Sequence, residues 1–266
     1  MALAVCATPI GNLEDVTLRV LRELREADVV LCEDTRHTRI LLAKHDIRAS
    51  LLSYHEHNEA KRTAELLPRL LAGERMALVS DAGLPGISDP GARLIAAALG
   101  AGVPVTVLPG PSAVETALVA SGLLGERYQF VGYLPRGEKA LAALWEELAR
   151  WRWPVVAFES PQRLPRTLRS LAGALPARRV AVCRELTKRF EEVVRGTAEE
   201  LAVRFPEPPK GEVVLVLGAA ETVVDEEAGA EAVAELVRAG LARRQAAELV
   251  ARLTGASRNA LFEKSL

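Results

Sequence analysis

Short apolar runs that alternate with helical stretches set the architecture of the first 110 residues. Leu3–Thr8, Asp28–Cys32, Leu51–Tyr54, Met76–Val79 and Val103–Leu108 have strand length and strand composition. Between them, Thr17–Ala27 carries Leu18, Leu21 and Leu24 at helical spacing, Thr38–Lys44 reads as a short helix, and a charged helix runs on to Leu71. Strands separated by helices pair in parallel, because each return needs a crossover. A parallel α/β sheet is the expected first layer.

Three of these runs end in loops of one kind. Ser80-Asp81-Ala82-Gly83-Leu84-Pro85-Gly86-Ile87-Ser88-Asp89-Pro90-Gly91 places three glycines and two prolines in twelve residues after the fourth strand. Its glycine spacing matches neither the dinucleotide fingerprint nor a Walker A loop. Asp89 is suited to cap the helix that follows, with Pro90 in its first turn. Thr8-Pro9-Ile10-Gly11-Asn12 follows the first strand and Pro109-Gly110-Pro111-Ser112 the fifth. One such loop alone reads as a tight strand-to-helix turn. Three in phase lie on one rim of a parallel sheet, where α/β proteins bind ligands.

The second half has another texture. Tyr128–Val131, Pro154–Phe158, Arg179–Cys183, Val193–Val194 and Val213–Leu217 are apolar runs with shorter connections, which favours a mixed sheet with antiparallel members. The expected division is 1–111, 112–222 and 223–266: two α/β domains and a small helical segment. From Glu221 to Glu235 there are six acids and no base; from Arg238 to the end there are six bases and two acids. Arg243–Val250 is helical, Thr254-Gly255 turns, and Ser257 can cap a final helix. This pattern fits a helical hairpin covering a sheet edge, an RNA-facing appendage, or a DNA-reading helix-turn-helix.

Bulk properties exclude several classes. The formal net charge is −1, so a basic surface must be local. Cys6, Cys32 and Cys183 lie far apart, without metal spacing or a disulfide framework. No secretory signal pattern or 18-residue apolar run is seen, and a cytoplasmic location is the expectation. Residues 150–189 hold ten Arg or Lys against Glu159 and Glu185, which would suit a polyanion.

The segments ATPIGNLEDVTLRVL, CEDTRHTRILL, SYHEHN, LVSDAGLPGISDPG, VLPGPSA, FVGYLPR, FESPQRL and CRELTKRFEEVVRGT occur in that order across nearly the whole chain. The sequence resembles the RsmI-type ribosomal RNA small-subunit methyltransferases, a branch of the tetrapyrrole methylase superfamily. The tail RRQAAELVARLTGASRNALFE is similar to the extra C-terminal domain of that branch. The resemblance implies two α/β domains with S-adenosylmethionine (SAM) in the cleft between them. It also implies a homodimer, and methyl transfer to the 2′-hydroxyl of a cytidine in the decoding region of 16S ribosomal RNA, with no membrane and no metal involved.

On that resemblance, Pro9, Asp81, Ala82, Gly83, Gly86, Ile87, Ser88, Pro111 and Ser112 are the expected cofactor contacts. In the second domain they are joined by Glu185 and Leu186, with the Arg195-Gly196-Thr197 turn flanking adenine. Asp81 could instead cap its own loop, and Ser112 suits a helix N-cap. A ribose hydroxyl is a poor nucleophile at neutral pH, so a proton acceptor or a cation should assist it. Glu33 and Asp34 are the candidate acceptors and Lys188 the candidate cation. Arg36, His37, Arg163, Arg166 and Arg189 are the candidate RNA contacts, and Tyr133 could stack on a base or wall the SAM pocket. Each has a plainer reading as a salt-bridged or solvated surface group. His55-Glu56-His57 tempts a zinc reading if it lies on a strand, but no third ligand is evident. A tetrapyrrole-precursor methylase and a metabolite-sensing nucleic-acid module are the rival classes.

Overall fold

The computed structural model describes residues 2–220 and 226–265. Met1–Glu147 with Trp153–Ala219 forms one compact unit, and Leu148–Arg152 with Ala220–Leu266 forms a second.

The larger unit begins with β1 (Leu3–Cys6), α1 (Leu18–Glu26), β2 (Val29–Cys32), α2 (Thr35–Lys44), β3 (Leu51–Ser53), α3 (Glu59–Leu71), β4 (Met76–Leu78), α4 (Ala92–Gly100) and β5 (Val105–Leu108). The five strands pair in parallel in the order β3-β2-β4-β1-β5. Alternate strand residues serve opposite faces. Ala4, Cys6, Val30, Cys32 and Ala77 pack with Val20, Leu21 and Leu24 of α1 and with Leu41 and Leu42 of α2. Leu3, Val5, Val29, Leu31, Met76 and Leu78 pack with Leu66 and Leu70 of α3 and with Leu94 and Ala98 of α4. Helices on both faces bury both, which is why these strands read as unbroken apolar runs.

β1 and β4 are neighbours, yet the chain leaves β1 for α1 on one face of the sheet and leaves β4 for α4 on the other. Connections that diverge in this way open a crevice at the carboxyl ends of the two strands. Thr8 and Gly83 span it with reciprocal backbone hydrogen bonds of 2.8 and 3.0 Å.

The chain continues as α5 (Ala113–Ser121), β6 (Gln129–Tyr133), α6 (Glu138–Leu148), β7 (Val155–Glu159), α7 (Leu164–Ala174), β8 (Arg179–Arg184), β9 (Glu192–Thr197), α8 (Ala198–Arg204) and β10 (Val213–Leu217). The second sheet runs β6-β7-β10-β8-β9, with β6 and β7 parallel and the other pairs antiparallel. It is the expected mixed sheet. α5 lays Val114, Ala117 and Leu118 on Val156, Ala181, Cys183, Val214 and Val216. Arg195 donates to the Ser121 and Ala120 carbonyls at the end of that helix, where a cation meets the negative dipole end.

In the smaller unit, α9 (Glu226–Arg238), α10 (Arg243–Thr254) and α11 (Arg258–Lys264) enclose Val233, Ala246, Ala247, Val250 and Leu261. Gly255 ends α10 at φ 77°, and Ser257 caps α11, as its sequence led one to expect. Residues 221–225 of the acidic run lie outside the described residues.

Local expectations fail in three places. Gly91, not Asp89, sits at the N-cap of α4, and the Glu59 carboxylate accepts from Gly91 N (3.0 Å) and Arg93 N (3.3 Å). Arg195-Gly196-Thr197 is no turn: it ends β9, and Thr197 forms a capping box with Glu200 at the start of α8. His55-Glu56-His57 is not on a strand but in the turn after β3, where Asn58 accepts from His55 N.

Candidate active site

The site grows from the crevice between β1 and β4. Three loops converge there because three parallel strands end there. Gly83, at φ 77°, turns its backbone towards the first and third loops, and a Cβ on it would come within 3.9 Å of Ile10 Cγ2 and the Pro111 carbonyl. Gly11 approaches the second sheet so closely that a Cβ would lie 2.8 Å from the Leu186 carbonyl and 2.5 Å from Lys188 Cγ. Asn12 N donates to Thr187 Oγ1 at 2.9 Å across the same contact. Glu185 and Thr187, at φ 52° and 64°, hold the β8–β9 connection in the left-handed region against that loop.

These approaches leave a cleft of about 460 Å³ between the two sheets, within the size range of small-molecule sites. Asp81, Ala82, Gly83, Ile87, Ser112 and Leu186, which the sequence assigns to the cofactor, line it. So do Ile10, Leu84, Asp89, Tyr133, Phe158–Pro161, Cys183 and Glu212–Val214, which sequence reasoning did not assign to the cofactor, Tyr133 apart. Gly86, Ser88, Pro111 and Glu185, which the sequence also assigns to the cofactor, do not line it. A smaller cavity of about 120 Å³ lies beyond Asp81 and Ala82 and holds Pro9, His37, Lys188 and Glu212.

Four carboxylates face the cleft: Asp81, Asp89, Glu159 and Glu212. Asp81 Oδ1 accepts from Asp34 N at 3.2 Å, and His37 Nδ1 lies 3.7 Å from its other oxygen. Glu159, whose side chain is wholly buried, accepts from Thr167 Oγ1 (2.5 Å) and from Ser160 N (2.7 Å), with Arg163 at 3.3 Å. Glu212 pairs with Lys188 Nζ at 2.9 Å. Burial pushes the Asp89 carboxyl up to about 6, helped by Glu33 and Asp81, and a hydrogen bond from Ser80 only partly offsets them.

The other candidates divide by what they touch. Asp34 caps α2 and is gripped by Arg36, whose hydrogen bonds hold its carboxyl well below the usual carboxylate range. Glu33 is pushed the other way, by burial and then by Asp81. Burial pulls Lys188 down, but bonds to Glu212 and Glu185 outweigh it and hold the ammonium above its ordinary value. Arg163 donates to the Leu134 and Pro135 carbonyls at 2.8 and 2.7 Å and so ties α7 to the end of β6. Arg166 pairs with Glu138, and Arg189 lies over the Phe190 ring at 5.5 Å. Among the described residues no group of three or more His, Cys, Asp or Glu could hold a metal ion, and no helix is long and apolar enough to cross a membrane.

Two α/β sheets meeting over a cleft define a class of two-sheet α/β folds that take a ligand between them. The family model of Tetrapyrrole (Corrin/Porphyrin) Methylases matches residues 2–202, and the chain belongs to that family. Within it, the chain is 42% identical over its full length to 91% of the "Ribosomal RNA small subunit methyltransferase I" of Mesorhizobium japonicum. It is 44% identical over 82% of its length to 99% of the protein of that name from Thermotoga maritima. The fold is also that of the methyltransferase CobJ (22% identity, TM-score 0.63, covering 82% of this chain and 94% of that one). Uroporphyrin-III C-methyl transferase of Thermus thermophilus, solved with S-adenyl homocysteine, matches at 21% identity and TM-score 0.58, over 81% of this chain and 96% of that one. This protein is thus a SAM-dependent methyltransferase.

The cleft suits that cofactor on its own evidence. SAM carries a sulfonium and an ammonium against one carboxylate, and a cleft lined by four acids complements its net positive charge. Phe158, Tyr133 and Val213–Val214 offer an apolar wall for a planar base, and Gly83 and Ala82 let backbone groups approach without side-chain bulk.

Proposed function

We propose that the protein methylates the 2′-hydroxyl of a cytidine in the decoding region of 16S ribosomal RNA, in the assembled small subunit, as a cytoplasmic homodimer. The observation that carries this reading is the near-full-length similarity to proteins named for small-subunit ribosomal RNA methylation, joined to a cleft that suits SAM.

When bound, the cofactor supplies an electrophilic methyl group on sulfur, so no metal or covalent enzyme nucleophile is required. The chain must align a hydroxyl with that methyl, exclude water and take a proton away. Asp81, with the Ala82-Gly83 and Ile87 backbone, holds the donor against Ser112 and Leu186. Pro9, Gly86, Ser88, Pro111 and Glu185 fix the loops that do so. Lys188 stays charged beside the smaller cavity and stabilises negative charge developing on the hydroxyl oxygen. Glu33 is the better acceptor of the two that the sequence offers, because Asp34 is a weak base in the grip of Arg36. Arg36, His37, Arg166 and Arg189 serve the RNA side, whereas Arg163 braces α7 from within. Tyr133, 64% exposed at the cleft, stacks on the base that leaves its helix to bring its ribose inside.

The test compares acceptors. The protein, labelled SAM and undermethylated 30S subunits should give protein-dependent label in RNA. Label passing to a tetrapyrrole precursor and not to subunits would overturn the proposal.

A further inference from the structure

We propose that Asp89 is the catalytic proton acceptor of this cleft. The inference deepens the proposed function and rests on it.

The argument is one of elimination among the cleft-lining carboxylates. Asp81 is occupied by the Asp34 backbone N–H and by His37. Glu159 is buried and filled by Thr167, Ser160 N and Arg163. Glu212 is paired with Lys188. In each of these, taking up a proton would weaken an ion pair or hydrogen bond that stabilises the charged carboxylate. Asp89 makes no ion pair among the described residues, and the Ser80 hydroxyl is the group that bonds to it. It does not cap α4 either, because Glu59 does that from α3. A half-buried carboxylate in a ligand cleft, released from capping and left unpaired, has no evident structural task.

Its surroundings favour the task proposed. Glu33 after β2 and Asp81 after β4 act on it, and the Tyr133 phenol on β6 is itself raised by burial and by Asp89. Glu212 and Glu159 act on Tyr133 from the same cleft, while His55 and Glu56 face Glu33. With its carboxyl raised to about 6, Asp89 is ionised at neutral pH and more basic than an ordinary aspartate. In the transfer, the ribose O–H bond breaks and its proton goes to an Asp89 carboxylate oxygen. The new O–CH₃ bond forms as the S–CH₃ bond breaks, and that electron pair stays on sulfur. The proton then leaves Asp89 for water.

The test uses the full chain with 30S subunits and labelled SAM. Asp89→Asn should bind SAM within threefold of wild type but lose 10²- to 10⁴-fold in kcat. Wild-type kcat should rise tenfold per pH unit up to about pH 6 and then level, and that limb should vanish in the variant. Thermal melting at pH 7 to 8 should show Asp89→Asn at least as stable as wild type, because the penalty of a buried charge is gone; this separates lost chemistry from lost folding. Asp89→Glu should restore part of the rate. No transfer by the wild-type protein would overturn the proposed function, and this inference with it. Transfer by wild type, with Asp89→Asn inside threefold of its kcat, would overturn this inference alone.

Discussion

Replacing Glu59 by alanine should loosen the Ser80–Gly91 loop from a position 32 residues before its end at Gly91. Its carboxylate accepts from Gly91 N, Arg93 N and the Tyr54 hydroxyl at 3.0, 3.3 and 3.2 Å. It therefore caps α4 and pins the far end of the Ser80–Gly91 loop to α3. A lost helix cap costs about 1 kcal/mol. A hydrogen bond to a charged acceptor contributes about 1.5–3 kcal/mol, but water can replace part of it at this half-exposed position. The Tyr54 hydroxyl keeps Thr63 Oγ1 at 3.0 Å, so it adds little to the loss. The expected destabilisation is about 2 kcal/mol, roughly a 30-fold change in the unfolding constant, read from urea unfolding curves of matched slope. Glu59→Gln keeps an acceptor and should lose less than half as much. SAM affinity by titration calorimetry should fall in the alanine variant, because the loop's end is no longer fixed. A shift under about 0.5 kcal/mol with unchanged SAM affinity would refute the tether, since surface changes without a structural role fall in that range.

Gly11→Ala should destabilise the chain by about 1–3 kcal/mol and weaken SAM binding, because the added carbon would collide with Leu186 O, Thr187 Oγ1 and Lys188 Cγ; denaturation and calorimetry check both. Burial pushes the Cys6 and Cys183 thiols up to about 12 and raises Cys32 as well, so a thiol reagent at pH 8 should label none of them in the native protein and all three after unfolding. Asp34 has a folded-state value below its unfolded one, so its stabilising effect is present above the ordinary carboxylate range and is lost as pH falls. The stability difference between wild type and Asp34→Asn should therefore be visible at pH 7 and shrink below about pH 4.

What the sequence made legible follows periodicity. The apolar runs of β1, β2 and β4 mark both-face burial, and glycine with proline marks the rim. The family-specific motifs then named a candidate ligand, SAM, for that rim. What stayed hidden depends on tertiary neighbours. Asp89-Pro90-Gly91 looks like a cap sequence, and nothing local says that a glutamate 32 residues earlier has taken that role. Glu212 follows an ordinary Pro-Lys-Gly turn and enters the cleft because β10 inserts between β7 and β8. Arg163 shares a three-residue spacing with Arg166 and Arg169, but the end of β6 supplies carbonyls that draw it inward. The His55–His57 pair looked like alternating strand residues until Asn58 closed a turn around His55.

The central claim is the chemical identity of the acceptor atom. RNA labelled from tritiated SAM by this protein on undermethylated small subunits should be digested to nucleosides and separated. The account predicts label in a 2′-O-methylated cytidine at one position in the decoding region. Label on a base, or spread over many positions, would contradict it.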